Sequence, residues 1–177
     1  MMNSYPTPYP EVNDVLDRLL IGAQRVLGDQ FVGLYLYGSL SSGDFNPHSS
    51  DIDFVVITAE ELPAEMVAAL EKLHSDLAAS GLEWAAKLEG CYLPQRDLPR
   101  HNPTMAPCPH INEGHFYLAK HGSDWAIQRH ILRECGVVIA GPPVAPLIDP
   151  VSADDLRQAV RGVLREWWEP QLRESPA

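Results

Sequence analysis

The sequence predicts an α/β (α+β) domain, a mixed central sheet flanked by helices. Three observations point there. Short runs of branched and aromatic residues alternate with longer stretches whose apolar residues recur at helical spacing, and glycine or proline marks most of the junctions. The chain has 177 residues, enough for one compact domain with a real core and too few for a second full one. No apolar run approaches the length of a bilayer span, so a membrane protein is not expected.

Residues Met1 to Pro10 carry three prolines and two tyrosines and read as an irregular lead-in. Glu11 to Leu27 spaces Val12, Val15, Leu16, Leu19, Leu20 and Ala23 as one face of a first helix, with Asn13 or Asp14 as its cap. Phe31 to Tyr37 is a buried strand that ends at a glycine. Ser39 to Ser50 is rich in serine, glycine and asparagine and reads as a short helical turn followed by a loop. Asp51 to Thr58 is a second strand, with Ile52, Phe54 and Val56 on one face and Asp51, Asp53 and Val55 on the other. Glu60 to Ser80 is a second helix, with Leu62, Met66, Ala69, Leu70, Leu73 and Leu77 on its apolar side and Gly81 as its stop.

Leu82 to Leu93 reads as a third strand, and the five prolines between Pro94 and Pro109 mark a long irregular loop. A short strand over His115–Ala119, a helix over Trp125–Cys135 and a short strand over Val137–Ala140 follow. A last helix runs from Ser152 to Trp168, and its Ser152-x-x-Asp155 opening has the form of a capping box.

The hydrophobic fraction of 45% and charged fraction of 21% are those of an ordinary soluble protein. The Met-Met-Asn-Ser start has neither the basic nor the apolar region of a secretory signal, which leads us to expect a cytoplasmic protein. Cys91, Cys108 and Cys135 are odd in number and widely spaced, so free thiols are expected. A formal net charge of -11 opposes binding to a nucleic-acid backbone and suits a cationic partner or a magnesium–nucleotide complex.

Two features carry chemistry. Asp51 and Asp53, two apart on a strand, point the same way and can share a magnesium ion, a hard cation that prefers oxygen ligands. Two aspartates so close repel one another unless a cation sits between them. Gly38-Ser39 follows the first buried strand directly. The glycine lets backbone approach a ligand, while the serine hydroxyl and the amides after it offer donors to phosphate oxygens.

A Gly-Ser turn followed after a short loop by Asp-x-Asp resembles the signature of the DNA-polymerase-beta-type nucleotidyltransferase superfamily. The stretches Leu34-Tyr35-Leu36-Tyr37-Gly38-Ser39 and Pro47-His48-Ser49-Ser50-Asp51-Ile52-Asp53 look most like the aminoglycoside 3''-type adenylyltransferases. The segment from Gly141-Pro142-Pro143 through Asp149-Pro150-Val151 to Asp155-Leu156 is also similar to that family. The resemblance implies a nucleotidyltransferase fold over 1–150, with 151–177 opening a C-terminal helical segment short of a full second domain. It implies ATP as substrate, Mg2+ held by Asp51, Asp53 and Glu89, and nucleotide binding at Gly38, Ser39, Ser50 and Lys87. It also implies Glu89 as the base that activates a hydroxyl of a small cationic acceptor such as an aminoglycoside.

Strand alternation puts Lys87 on the face of Glu89 and Cys91, where it reaches a phosphate or pairs with Glu89. The alternative is a minimal nucleotidyltransferase of toxin–antitoxin type that acts with or on a helical partner. Trp167 and Trp168, if left uncovered, would favour a further domain, a partner chain or a homodimer. Cys108, His110, His115 and His121 are zinc-ligand types, but their spacing fits no zinc pattern, and they read as loop residues without a metal.

Overall fold

The computed structural model describes residues 6–174, so the first five residues of the expected lead-in lie outside it. Six strands form one sheet: β1 (Phe31–Leu36), β2 (Ile52–Thr58), β3 (Leu88–Pro94), β4 (Cys108–Asn112), β5 (His115–Ala119) and β6 (Val137–Ala140). Their order is β5-β4-β3-β2-β1-β6. Of these pairings β2 with β3 is parallel and the other four are antiparallel, the mixed sheet that the sequence predicts.

Helix α1 (Pro10–Leu27) and helix α3 (Ala64–Ala78), which forms the crossover between β2 and β3, cover one face. Val12, Leu16, Leu19, Leu70 and Leu77 pack there against Leu34, Leu36, Ile52, Phe54 and Val56. Helix α4 (Trp125–Cys135) serves the other face, where Trp125 and Leu132 join Tyr35, Val55, Ile57, Cys91 and Leu93. The alternation read from the sequence of β2 thus sorts its side chains between the two cores.

Several boundaries differ from expectation. Helix α1 starts at Pro10, whose missing N–H costs nothing in a first turn, and neither Asn13 nor Asp14 caps it. Asn13 is buried and fastens the preceding chain instead. Its Oδ1 accepts from the Thr7 amide at 3.1 Å and hydroxyl at 2.8 Å, and its Nδ2 donates to the Thr7 carbonyl. Helix α3 begins only after Pro63, because proline disfavours helical geometry at the residue before it. Residues 82–87 form a turn and a 3₁₀ segment rather than the first half of β3.

Within the expected proline loop lies β4, which pairs with β3 only through Gly90–Ile111 and Cys91–His110. Pro109 falls outside that short ladder and removes no bond from it. The last helix, α5 (Ala153–Val163), passes through a π-helical turn at Leu164–Trp168 into α6 (Glu169–Glu174). Its capping box is present: Ser152 Oγ accepts from the Asp155 amide at 3.1 Å, and Asp155 Oδ2 accepts from the Ser152 amide at 3.0 Å. Trp167 and Trp168 are 62% and 57% exposed, so neither belongs to the core.

Candidate active site

The parallel register of β2 and β3 sets Asp53 directly beside Glu89. Both side chains share the α4 face of the sheet, because Val55 and Ile57 on β2 and Cys91 and Leu93 on β3 line that core. Asp51 stands just before β2, two residues from Asp53. The three carboxylates therefore meet at the N-terminal ends of two neighbouring strands.

The turn after β1 closes against this group. Gly38 has φ +62°, and a Cβ there would run into the Asp53 carboxylate. Glycine is thus required both by the left-handed backbone and by the close approach. The Ser39 backbone N–H donates to the Asp53 carboxylate, and the Tyr37 amide donates to the Asp53 carbonyl at 3.2 Å. Gly38–Ser42 forms the short helix α2, so the predicted helical turn is present. Ser39 Oγ has no hydrogen-bond partner among the described residues, while Ser50 Oγ accepts from the Asn46 amide at 3.0 Å and so closes the loop.

Burial, followed by the charges of Glu89 and Asp51, pushes the Asp53 carboxyl up to about 7 against the opposing hydrogen bond from Ser39. Burial also raises Glu89, with Asp51, Glu113 and Asp124 adding to it. The buried Tyr37 hydroxyl is held well above its usual range by desolvation and then by Cys91, Asp53, Glu89 and Asp124. Asp51 Oδ1 is inaccessible to solvent and accepts no hydrogen bond. Lys87 Nζ lies 3.4 Å from it as a partly exposed ion pair.

Lys87 thus pairs with Asp51 rather than Glu89. It sits in the 3₁₀ segment before β3, where strand alternation does not reach. Three oxygen-donor groups, one with a buried oxygen that accepts no hydrogen bond and one holding its proton to neutral pH, match the demands of a hard divalent cation.

Asp124, at the start of α4, is a fourth carboxylate in this field and went unread in the sequence. Burial raises it, with its own amide and that of Trp125 opposing and the Glu166 charge adding. An aspartate ahead of an amphipathic helix reads as an ordinary helix start, so only the fold reveals its neighbours. The preceding residue is anchored by the C-terminal segment: Ser123 donates from its amide at 3.1 Å and its hydroxyl at 2.6 Å to Glu166.

A cleft of about 650 Å³ opens beside this anchor, between α4, α5 and the 100–101 segment, and the three carboxylates do not line it. Its arginines already have partners. Arg129 Nε donates to the Leu98 carbonyl at 2.9 Å, and Arg100 pairs with Asp149.

The three histidines of zinc-ligand type, His110, His115 and His121, separate into two groups. Cys108, His110 and His121 bring one ligand atom each within 4.8 Å of one another. His115 begins β5 and pairs with Asn112 at the hairpin end, away from that cluster.

Residues 25–96, which contain the Gly-Ser turn and all three carboxylates, match the model of the nucleotidyltransferase domain family. In an alignment of 170 positions that covers 90% of this chain, the sequence is 28% identical to an aminoglycoside (3'')(9) adenylyltransferase of Shigella flexneri, and equally to one of Escherichia coli. That match takes in 64% of each relative, so the chain spans just under two thirds of their length. The solved spectinomycin adenyltransferase AAD(9) from Enterococcus faecialis, with ATP and spectinomycin, superposes with a TM-score of 0.65 at 19% identity. The superposition covers 86% of this chain and 66% of that one, and shows that the mixed sheet with its flanking helices is the nucleotidyltransferase fold.

Proposed function

We propose that this chain, which carries a nucleotidyltransferase domain, transfers AMP from ATP to a hydroxyl of a small cationic acceptor of the aminoglycoside class, in the cytoplasm. The observation that carries this reading is the Asp53–Glu89 register pair, flanked by Asp51 and closed by the Gly38-Ser39 turn. Asp51, Asp53 and Glu89 would hold Mg2+. When bound, the metal neutralises polyphosphate charge and polarises the reacting phosphoryl group.

The residues of the chain supply the rest. Ser39, with a free hydroxyl next to Asp53, donates to a phosphate oxygen, and Gly38 lets the turn that carries it close on the Asp53 carboxylate. Lys87, paired with Asp51 and partly exposed, adds a positive charge beside the carboxylates that a polyphosphate can use. Glu89, in register with Asp53 on the neighbouring strand, takes the acceptor's hydroxyl proton. The acceptor oxygen then bonds to the α-phosphorus, the bond from that phosphorus to the bridging oxygen breaks, and pyrophosphate leaves with the electron pair.

The net charge of -11 favours approach of a polycationic acceptor. The sequence relatives, both aminoglycoside adenylyltransferases, support this acceptor class.

Incubating the chain with ATP, Mg2+ and a panel of aminoglycosides, then reading acceptor mass, tests the reading. A mass gain of one AMP is expected, reduced at least about 10²-fold in Glu89→Gln and abolished in Asp53→Asn. No adduct with any acceptor, or an adduct that both variants form as well as the parent, would reject it.

A further inference from the structure

Cys108 and His110 alternate on β4 and so project from the same face. The β4–β5 hairpin brings the chain back beside them: Ala119 pairs with Cys108, and His121 follows two residues later. Cys108 Sγ lies 3.5 Å from His110 Nε2 and 3.8 Å from His121 Nε2. Around a tetrahedral zinc with ordinary Zn–S and Zn–N bond lengths, a sulfur and a nitrogen ligand stand about 3.6 Å apart. The observed edges already have that length.

The rings are held in place by their surroundings. His121 stacks on Trp125 with centroids 4.1 Å apart and planes 16° from parallel, and His110 stacks on Tyr117. The Ala119 backbone also hydrogen-bonds the His110 ring. Cys108 is only 4% exposed, which shields its sulfur from competing chemistry.

We propose that Cys108, His110 and His121 form a binding site for a borderline-soft divalent metal of the zinc class, with three protein ligands and an open fourth position. One thiolate and two imidazoles select against magnesium, so this site is distinct in chemistry from the carboxylate group. His110 stands opposite Cys91 on β3, one alternation along from Glu89, so the two sites share a face of the sheet. A metal here would tie β4 to the segment that leads into Asp124 and α4. The inference rests on the cluster alone and does not depend on the proposed reaction.

The test titrates the metal-stripped chain with Co2+, followed by absorption and then by displacement with Zn2+. One cobalt per chain is expected to give a thiolate-to-metal charge-transfer band with strong tetrahedral d–d absorption, both removed by Zn2+. Cys108→Ser should lose the charge-transfer band. His110→Gln and His121→Gln, which keep the thiol, should weaken Zn2+ binding by at least about tenfold in competition with a chromophoric chelator. The double variant Asp53→Asn/Glu89→Gln and the single variant Cys135→Ser should both retain the band. Circular dichroism before metal addition separates loss of a ligand from loss of fold. Absence of the band in the parent chain, or an undiminished band in Cys108→Ser, overturns the site and leaves the three side chains a hydrogen-bonded cluster.

Discussion

Gly38 shows how much one residue fixes in this molecule. Its positive φ and its contact with the Asp53 carboxylate both exclude a side chain, so Gly38→Ala must shift the turn or the aspartate. A stability loss of roughly 1–3 kcal/mol is expected in denaturant titrations, with nucleotide binding lost as well. His74 makes a separate prediction. Its ring lies in the α1/α3 core with Phe54 and Phe116 around it, and its Nε2 meets the Tyr92 hydroxyl at 2.8 Å. Burial lowers its pKa to about 4. A histidine depressed in this way is neutral in the fold, so the unfolded chain binds the extra proton between about pH 4 and 6.5. Its contribution is complete above the unfolded value and is lost as pH falls toward 4, by roughly 3 kcal/mol at most. Unfolding free energies measured across that interval should fall with acid, and His74→Gln should flatten this component of the slope.

At the scale of elements, the strongest signals in the sequence were those whose local and tertiary requirements agree. The apolar spacing of α1 and α4, the branched run of β2 and the Ser152-x-x-Asp155 opening of α5 each specify a structure that the packing then uses. Ser152→Ala should therefore cost about 1 kcal/mol and fray the first turn of α5, measurable as faster amide exchange at Asp155 and Leu156. Strand β4 was illegible for the opposite reason. Cys-Pro-His-Ile-Asn has no clean alternation and contains a proline, and it becomes a strand only because β3 and β5 supply partners on either side. The same gap hid the Cys108–His110–His121 cluster, since linear spacing carries no record of a hairpin that returns beside its own start. Asp51 and Asp53 were legible because they are neighbours in sequence, whereas Glu89 was suggested only by the family resemblance, and its place beside Asp53 follows from the β2–β3 register. Asp124 was not, because only the docking of α4 brings it into their field.

Across the whole molecule, the parallel β2–β3 pair is the frame on which the site depends, and α4 closes the face above it. The C-terminal segment is tied to that face through Glu166 and Ser123, yet it turns an apolar row outward: Val160, Leu164, Trp167, Trp168 and Leu172 are all exposed. Among the described residues, no helix is long and apolar enough to cross a membrane. Since neither tryptophan is packed in the core, Trp167→Ser/Trp168→Ser should change unfolding free energy by no more than about 0.5 kcal/mol. Binding of an apolar fluorescent dye should fall in the same variant, because the patch itself is removed. The claim on which the functional reading turns is that the carboxylates and the Gly38-Ser39 turn form one metal–nucleotide site. Calorimetric titration of the chain with ATP in the presence and absence of Mg2+ measures this directly. Saturable binding that requires Mg2+ and disappears in Asp53→Asn is predicted. ATP binding of equal strength without Mg2+, or in Asp53→Asn, would contradict it.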